Sequence, residues 1–527
     1  MSEIGIDVDV TSRLSNGWVR TIALTPPSLN DNTADLDRLL NALQKELKSD
    51  RIKVDLDLMR KIPFRLRDWN YRVTCVFFKD DTQWLLVHIC NPTDPSPLLG
   101  LAVDLGTTRV VLRLLNLVTG KILASDAFDN PQIAVGPDIL TRIHSAGDQD
   151  GFDLLTTLIR TAMDRNIVRL CRSSGYQSED IHLMTMAGNT TMTHLFLGLN
   201  PRWMIRAPYI PVVNRPGIFR ACQIGLRSVG EARILMFPNV GSYFGGDLIA
   251  GILLAELHRQ DDISILVDVG TNAEVILGNR DWLVGCAGAA GPALEGGVTS
   301  IGMLAGPGVI DRIHIDPNSR RFDIHTISDK PPKGICGSGM IDLAAQLFLA
   351  GMIDIRGKLL PEMCKEHYSV KDGLARLIVV PADQSATLKD LCISQADIDS
   401  LIRSKAAMYT ILETLTQSVG VDQNELPCFY VAGTFGAFID PKSAITIGMI
   451  PDLPLDHYRS LGNSSLGGCT KVLKEVDALK EIDRIRDRIT YMELNVNQEF
   501  MNRFSAAKFL PHTDTGRFPS VTRQFNS

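Results

Sequence analysis

Two stretches of the chain decide the fold: residues 101–112 (LAVDLGTTRVVL) and residues 265–277 (ILVDVGTNAEVIL). Each reads as an apolar strand, a tight turn and a second strand. In each, the first strand ends near a carboxylate, Asp104 or Asp268, and a Gly-Thr pair follows one residue later. A carboxylate is costly to bury unless a partner compensates its charge. The repeat therefore predicts two halves of similar construction that share a charged ligand.

The glycine in each turn lets the backbone bring N–H groups close to phosphate oxygens, and neighbouring hydroxyl and amide side chains add donors. Asp104 and Asp268 repel phosphate, so we expect each to hold Mg²⁺ through water, and Asp268 is also a candidate catalytic residue. For either turn alone, a β-hairpin with an acidic cap is the alternative. The predicted phosphate-binding residues are Gly106, Thr107 and Thr108 in the first turn and Gly270, Thr271 and Asn272 in the second.

Three further segments carry glycines where chemistry is expected. Residues 433–436 (GTFG) follow a predicted strand, and such a turn allows a purine and ribose to pack on bare backbone; an ordinary strand-to-helix turn is the alternative. Asp247 follows two glycines at a predicted helix start, where it either orients an attacking water or caps the helix. Gly337, in GICGSG, begins another predicted helix, which favours an anion site or close helix packing.

Composition excludes several classes of function. The net charge is −6 and there is no Lys/Arg block, so nucleic-acid binding is not expected. The N-terminus lacks a signal peptide and no apolar run reaches the ~20 residues of a membrane helix, which predicts a cytoplasmic protein without membrane contact. The 10 cysteines show no CxxC or other tight cluster, so no iron–sulfur cluster is predicted within the chain. His144, His182 and His194 are expected to be structural because no partner spacing supports a metal site.

The 527 residues suffice for about three or four domains. Residues 1–34 read as a leader or linker, and residues 35–95 as a small α+β middle domain. From residue 100 to 475, apolar strands ending in Asp-Gly turns alternate with helical patterns, which predicts α/β architecture. Residues 476–527 form a charged tail that is partly helical by pattern.

A series of motifs keeps the order found in the reductive activators of corrinoid proteins. Among them are MAGNTTMTHLFLGLNP, APYIPVV, FPNVGSYFGGD, GCAGAAGPALEGG, VAGTFGAFID and YMELNVNQEFMNRF, together with the two phosphate turns. The resemblance covers roughly residues 15–510. It implies a two-lobed actin-like ATPase fold, shared with sugar kinases and heat-shock chaperones, over residues 100–475. Besides the roles of the two phosphate turns, the resemblance implies that Gly433, Phe435 and Gly436 lie near adenosine. It also implies that Asn189 and Asp247 lie at turns facing the cleft.

The resemblance also implies an activity. In that family, ATP assists the reduction of an inactive cobalt(II) corrinoid to cobalt(I), which serves methyl transfer. The implied partners are a corrinoid protein or corrinoid-dependent methyltransferase, and a homodimer is plausible. Because no cysteine spacing supports a cluster, we expect the electron to come from a separate ferredoxin or another low-potential donor. Two alternatives stay open: an ATP-binding adaptor without electron transfer, and a small-molecule kinase of the same superfamily.

Overall fold

A computed structural model describes residues 17–80, 83–94, 96–270, 272–289, 299–371, 373–433, 439–492 and 498–526. The chain forms two compact units. The first comprises Met1–Leu254 and Ser465–Asp487, and the second comprises Ala255–Ser464 and Arg488–Ser527. The leader predicted over residues 1–34 is described only from residue 17 onward.

Helices account for much of both units, and the two longest begin at side-chain caps. Asp148 accepts a hydrogen bond from the Gly151 amide at 2.7 Å, while Ser394 and Asp397 form a reciprocal capping box. The helices are α1 (Asp35–Leu47), α2 (Leu56–Asp68), α3 (Ile139–Ser145), α4 (Gln149–Ser173), α5 (Thr190–Leu197), α6 (Ala221–Ile224), α7 (Gly246–Ala255), α8 (Gly337–Leu349), α9 (Pro361–Cys364), α10 (Gln395–Ser418), α11 (Pro441–Thr446), α12 (Ser464–Lys474), α13 (Ala478–Arg488), α14 (Gln498–Ala507) and α15 (Pro519–Asn526).

The first unit begins with a small α+β element. Its sheet has the order β1-β3-β4-β2, and α1 and α2 contact each other beside it. Strand β1 lies within the segment that the sequence predicts to be a connector, and it pairs antiparallel with β3. Trp18, immediately before β1, is fully buried and donates to the Val472 carbonyl at 2.7 Å. The strands are β1 (Val19–Ala23), β2 (Ile52–Val54), β3 (Arg72–Asp80) and β4 (Gln83–Cys90).

The main sheet of the first unit follows in the chain. It has the order β7-β6-β5-β8-β10-β9, with β5, β6 and β7 antiparallel and β8 and β10 parallel to β5. Residues of β5 such as Leu101 and Val103 pack in one apolar core with Ile159 and Met163 of α4. The strands are β5 (Leu99–Leu105), β6 (Arg109–Asn116), β7 (Ile122–Asp129), β8 (Ile181–Ala187), β9 (Gly217–Arg220) and β10 (Arg233–Met236).

The second unit holds another six-stranded sheet, of order β21-β20-β11-β12-β13-β22, and two three-stranded sheets, β15-β14-β16 and β17-β18-β19. Its strands are β11 (Ser264–Val269), β12 (Asn272–Gly278), β13 (Leu283–Ala289), β14 (Val309–Ile315), β15 (Phe322–Thr326), β16 (Gly334–Ile335), β17 (Tyr368–Lys371), β18 (Leu374–Val380), β19 (Leu391–Ser394), β20 (Phe429–Ala432), β21 (Tyr458–Gly462) and β22 (Ile489–Tyr491).

The two six-stranded sheets follow the same path. In each, three consecutive antiparallel strands form a meander, and two later strands add in parallel on the far side of the first strand. The first strand of the meander is β5 in the first unit and β11 in the second. The prediction of an α/β chain with two halves of similar construction is therefore confirmed at the level of sheet topology. No helix in the described ranges is long and apolar enough to cross a membrane.

Candidate functional site

The turn between β5 and β6 contains the first predicted phosphate site. Asp104 lies at the end of the central strand, where its backbone pairs with Val111 on one side and Ala187 on the other. Asp104 is half-buried, as are the turn residues Gly106 and Thr107. A Cβ on Gly106 would lie 2.2 Å from the Arg109 carbonyl oxygen, so only glycine fits this turn.

Two residues, Asn130 and Arg142, hold the turn from behind through three hydrogen bonds. The Asn130 side chain donates to the Gly106 carbonyl at 3.0 Å, and its main-chain N–H donates to the Thr108 carbonyl at 2.8 Å. The Arg142 guanidinium donates to the Thr107 carbonyl at 2.7 Å. The carbonyl oxygens of Gly106, Thr107 and Thr108 therefore all have protein donors, which lowers the negative potential that an anion at the turn would meet.

Arg142 is fully buried beneath this turn. Besides Thr107 it donates to the Gly136 carbonyl at 2.8 Å and to the Gln132 side-chain oxygen at 3.1 Å. Burial lowers the pKa of Arg142 to about 10, which still leaves it charged at neutral pH, and the nearby Asp138 opposes the shift. A buried cation bound mainly to neutral oxygens raises the positive potential behind the turn.

Asn189 joins the turn to the start of α5. Its side-chain N–H donates to the Thr107 hydroxyl at 2.9 Å, while its oxygen accepts from the Met192 amide at 2.9 Å and so caps the helix. Gly188 lies against β5, because a Cβ there would be 2.7 Å from the Leu105 carbonyl oxygen. The structure thus brings Asn189, predicted by resemblance alone, directly to the phosphate turn.

The segment at the start of α7 packs against Gly188 and Asn189. The Gly246 amide donates to the Gly188 carbonyl at 2.9 Å. A Cβ on Gly245 would lie 2.3 Å from the Asn189 Cα and 2.5 Å from an Asp247 carboxylate oxygen. Asp247 is half-buried, and its Oδ1 accepts from the Leu248 amide at 2.9 Å, as a residue at a helix N-terminus does. Both interpretations of Asp247, helix cap and water-orienting acid, fit this position beside the turn.

The second unit repeats the arrangement at Asp268. The residue is half-buried on the central strand β11, and its backbone pairs with Glu274 and Ala432. The Ser464 hydroxyl donates to its carboxylate at 3.4 Å. Gly433 has a φ of 83°, and a Cβ there would lie 2.7 Å from an Asp268 carboxylate oxygen and 2.7 Å from the Val269 carbonyl oxygen.

Gly433 and Gly188 therefore have equivalent positions in the two units. Each follows the strand that pairs in parallel with the central strand, and each packs on the carbonyl oxygen of the residue after the carboxylate, Val269 or Leu105. Of the remaining predicted residues, Thr271, Phe435 and Gly436 lie outside the described residues. Asn272 begins β12, and its side chain is not described.

Gly337 is buried at the first position of α8. Two residues later, a Cβ on Gly339 would lie 2.5 Å from the Ile310 carbonyl oxygen of β14. Cys336, the residue before the helix, donates its thiol to that same oxygen at 3.3 Å. These contacts favour the close-packing interpretation of the GICGSG segment, and an anion-binding role for Gly337 stays a prediction.

Two residues that support the first turn, Asn130 and Arg142, were not predicted from the sequence. Asn130 precedes Pro131 and caps a short helical turn by accepting from the Gln132 amide at 3.0 Å, so the Asn-Pro pair was an available signal. Arg142 gave no signal, because arginine is rarely buried without a carboxylate.

The thiol of Cys469 also lies near Asp104. Burial, with a smaller contribution from the Asp104 charge, raises the pKa of Cys469 well above the usual value.

Comparisons with known proteins identify the family of the chain. Family models described as the RACo linker region, the RACo middle region and the C-terminal domain of RACo, the ASKHA domain, match residues 16–92, 99–260 and 262–522. A solved reductive activator for a corrinoid, iron-sulfur protein superposes with a TM-score of 0.88 at 36% identity, covering 98% of this chain and 82% of that one.

Two curated relatives extend the comparison. The corrinoid activation enzyme RamQ of Eubacterium limosum is 29% identical over 472 residues, which are 85% of this chain and 79% of RamQ. A Methanosarcina barkeri reductase of the cobalt(II) methylated-amine-specific corrinoid protein is 24% identical over 445 residues, which are 76% of this chain and 75% of the reductase.

Proposed function

We propose that this chain, which belongs to the family of reductive activators of corrinoid proteins, uses ATP to return a cobalt(II) corrinoid protein to the cobalt(I) state. The observation that carries the proposal is the match to a solved activator over 98% of the chain at 36% identity. The names of both curated relatives also refer to corrinoid proteins. The ASKHA domain supplies the nucleotide-binding fold.

Within the first unit, we assign the ATP phosphates to the N–H groups and hydroxyls of Gly106, Thr107 and Thr108, positioned by Asn189. Asp247 is assigned the attacking water, since a carboxylate beside a phosphate turn can orient water and accept its proton. In the second unit, Gly270, Thr271 and Asn272 have the corresponding phosphate role, and Gly433, Phe435 and Gly436 pack against adenosine. Gly337 is assigned a lesser role in anion binding.

The donor set at each strand end fits Mg²⁺. Asp104 and Asp268 are half-buried carboxylates, and the described residues contain no group of three or more His, Cys, Asp or Glu side chains able to hold a metal. Mg²⁺ typically binds proteins through one or two carboxylates and retains its waters for phosphate oxygens. When bound with ATP, the ion supplies charge that offsets the developing charge on the phosphates. Asp104 and Asp268 would orient its waters.

ATP supplies no electron, and we propose that the electron comes from a separate low-potential donor, of which ferredoxins are the proposed class. One electron converts cobalt(II) to cobalt(I), and ATP is hydrolysed to ADP and phosphate. Nucleotide binding can only favour one conformation through its differential affinity for two states. For a one-electron step, about 59 mV corresponds to a tenfold change in equilibrium. A few kcal/mol of binding free energy therefore suffice to make an unfavourable reduction feasible.

Single-turnover ATP hydrolysis with and without a cobalt(II) corrinoid protein tests the proposal against its alternatives. An activator should hydrolyse ATP faster with the corrinoid protein and should release one ADP per turnover without an organic acceptor. Binding of both ATP and the corrinoid protein with no hydrolysis would instead identify an adaptor. An ADP burst that needs an organic acceptor and ignores the corrinoid protein would identify a kinase.

A further inference from the structure

An exposed aromatic surface lies beside the phosphate turn in the first unit. It consists of Trp203, Tyr209, Ile210, Val212 and Tyr243, whose side chains are exposed by 53%, 43%, 59%, 57% and 43%. The Tyr209 and Tyr243 rings lie 6.5 Å apart. A cluster of large apolar side chains in solvent marks an interaction site more often than chance. Four of these residues lie in the motifs APYIPVV and FPNVGSYFGGD, and none of the four has a predicted role in the nucleotide site.

This aromatic surface is basic. Residues 201–216 contain three arginines and no aspartate or glutamate, although the whole chain has a net charge of −6. Arg215 forms an ion pair with Asp483 at 2.8 Å, so the excess positive charge comes from Arg202 and Arg206. The guanidinium carbons of Arg202 and Arg206 lie 4.8 and 5.6 Å from the centre of the Trp203 ring. Arginine and aromatic side chains in contact are the composition that dominates binding energy at protein interfaces. An acidic partner complements this charge, whereas a second copy of the chain would bring arginine against arginine.

Two hydrogen-bonded routes connect the aromatic surface to the phosphate turn. In the first, the Val212 amide donates to Nε2 of His194 at 3.0 Å, and Nδ1 of His194 donates to the Thr190 carbonyl at 2.7 Å. Burial lowers the pKa of His194, which keeps the ring neutral and Nε2 free to accept. Thr190 is the first residue of α5 and follows Asn189.

The second route runs through the segment 241–244, which contains Tyr243. The neighbouring Ser242 hydroxyl donates to the Tyr209 carbonyl at 2.6 Å. The Thr190 hydroxyl lies within hydrogen-bond distance of the Gly241 and Phe244 carbonyls, at 3.2 and 3.3 Å. Both routes thus meet at Thr190, next to the Asn189 side chain that binds the Thr107 hydroxyl.

We propose that the aromatic surface docks the corrinoid protein through an acidic face with an apolar centre, and that docking is transmitted through Thr190 to the phosphate turn. The identity of the partner rests on the proposed function. The two routes give docking a physical means of changing hydrolysis. A shift of residues 241–244 moves the carbonyls that the Thr190 hydroxyl contacts, and a shift of Val212 moves the His194 ring that binds the Thr190 carbonyl. Either movement displaces Thr190 and, with it, the adjacent Asn189.

Ile210→Glu tests the docking surface, and Leu154→Glu is its control, since Leu154 is 48% exposed on α4 of the same unit. The probe is a cobalt(II) corrinoid protein that the unaltered chain reduces with ATP. We expect Ile210→Glu to weaken binding of that protein at least about tenfold and to retain basal ATP hydrolysis, while Leu154→Glu matches the unaltered chain. Equal binding by both variants would overturn the docking surface. So would a change of sedimentation coefficient confined to Ile210→Glu, which would assign the surface to a second copy.

Thr190→Val tests the transmission. Its control is Thr156→Val, because the buried Thr156 hydroxyl has no hydrogen-bond partner among the described residues. We expect Thr190→Val to bind the corrinoid protein normally but to lose most of the stimulation of ATP hydrolysis that the partner produces, while Thr156→Val retains it. Full stimulation in Thr190→Val would overturn transmission through the Thr190 hydroxyl, since valine removes that hydroxyl and keeps the main-chain carbonyl that His194 contacts. If the unaltered chain reduces no corrinoid protein with ATP, the proposed function itself fails, and binding measured on the variants does not rescue it.

Discussion

The side-chain N–H of Asn189 donates to the hydroxyl of Thr107 at 2.9 Å, and the same side chain caps α5. One residue thus ties the phosphate turn to the helix behind it and to the glycine segment that opens α7. The contact explains why an asparagine follows Gly188: only a short side chain with both a donor and an acceptor serves both bonds.

Asn189→Asp should separate the two roles. Aspartate caps helices about as well as asparagine, but it cannot donate to Thr107 and it adds negative charge beside the phosphates. We expect the thermal unfolding midpoint to change little and the affinity for Mg-ATP, measured by calorimetry, to fall at least about tenfold. Asp148→Asn, which exchanges the same two side chains at the cap of α4, should alter neither quantity. An unchanged affinity in Asn189→Asp would remove Asn189 from the site.

Gly433→Ala should damage the second unit through its contact with Asp268. The residue combines a φ of 83° with a Cβ position 2.7 Å from the Asp268 carboxylate. Gly420→Ala is the matched control, because Gly420 has a φ of 71° with nothing within 4 Å of its Cβ position. We expect the control to lose about 1 kcal/mol of unfolding free energy in urea and to bind ATP normally. Gly433→Ala should lose more unfolding free energy than Gly420→Ala and should also bind ATP more weakly. Equal losses of unfolding free energy in the two variants would contradict the packing of Gly433 against Asp268.

Arg142→Lys should weaken the first turn although it conserves the charge. A lysine cannot reproduce the fork that reaches Thr107, Gly136 and Gln132, so buried acceptors lose their donors at a cost of roughly 2 kcal/mol or more. We expect a lower free energy of unfolding and weaker ATP binding. Arg160→Lys is the control, since within the described part of the chain Arg160 has a single hydrogen bond, to the Phe196 carbonyl at 2.8 Å. If ATP binding survives Arg142→Lys intact, Arg142 supports only the fold.

The stacked rings of His88 and His182 should make stability depend on pH. Their centroids lie 4.1 Å apart, and burial lowers the pKa of His88 to about 4 and that of His182 to about 3. In the unfolded chain both pKa values are near 6.5. Between pH 6.5 and the lower folded-state pKa values, the unfolded state therefore binds more protons than the folded state. Stability is therefore full above about pH 6.5 and falls as the pH drops toward these values, by up to about 1.4 kcal/mol per pH unit for each ring.

Replacing both rings by phenylalanine, His88→Phe with His182→Phe, keeps the stacking and removes the titration. Urea unfolding between pH 7 and pH 5 should then lose a large part of its pH dependence, while His194 and His512, whose pKa values burial also lowers, leave a residual slope. A slope as steep as that of the unaltered chain would contradict the assignment of the effect to this pair.

The first turn of the candidate site could be predicted from the sequence because the residues that shape it are close together in the chain. Gly106 is forced by a contact only three residues away, at Arg109, and the strand–turn–strand pattern around it is continuous. The order of the motifs identified the family, and the family models and the solved activator confirm it. The roles of the individual site residues remain predictions.

What the sequence could not show depends on contacts between distant segments. Arg142 reaches Thr107 across 35 positions, and nothing in its own segment indicates burial. Residues 465–487 return to the first unit, where a Cβ on Gly468 would lie 2.2 Å from the Ala250 carbonyl oxygen. The sequence placed residues 465–475 in a continuous ATPase domain and the rest in a tail, since a helix pattern does not reveal which sheet the helix packs on.

The central claim is most directly tested by anaerobic visible spectroscopy of a cobalt(II) corrinoid protein from the same organism, mixed with this chain and a low-potential reductant. We expect the cobalt(I) spectrum to appear only when ATP and Mg²⁺ are both present, and to be lost in Asp104→Asn and Asp268→Ala. Formation of cobalt(I) at the same rate without ATP, or undiminished reduction by Asp268→Ala, would contradict an ATP-driven reductive activator.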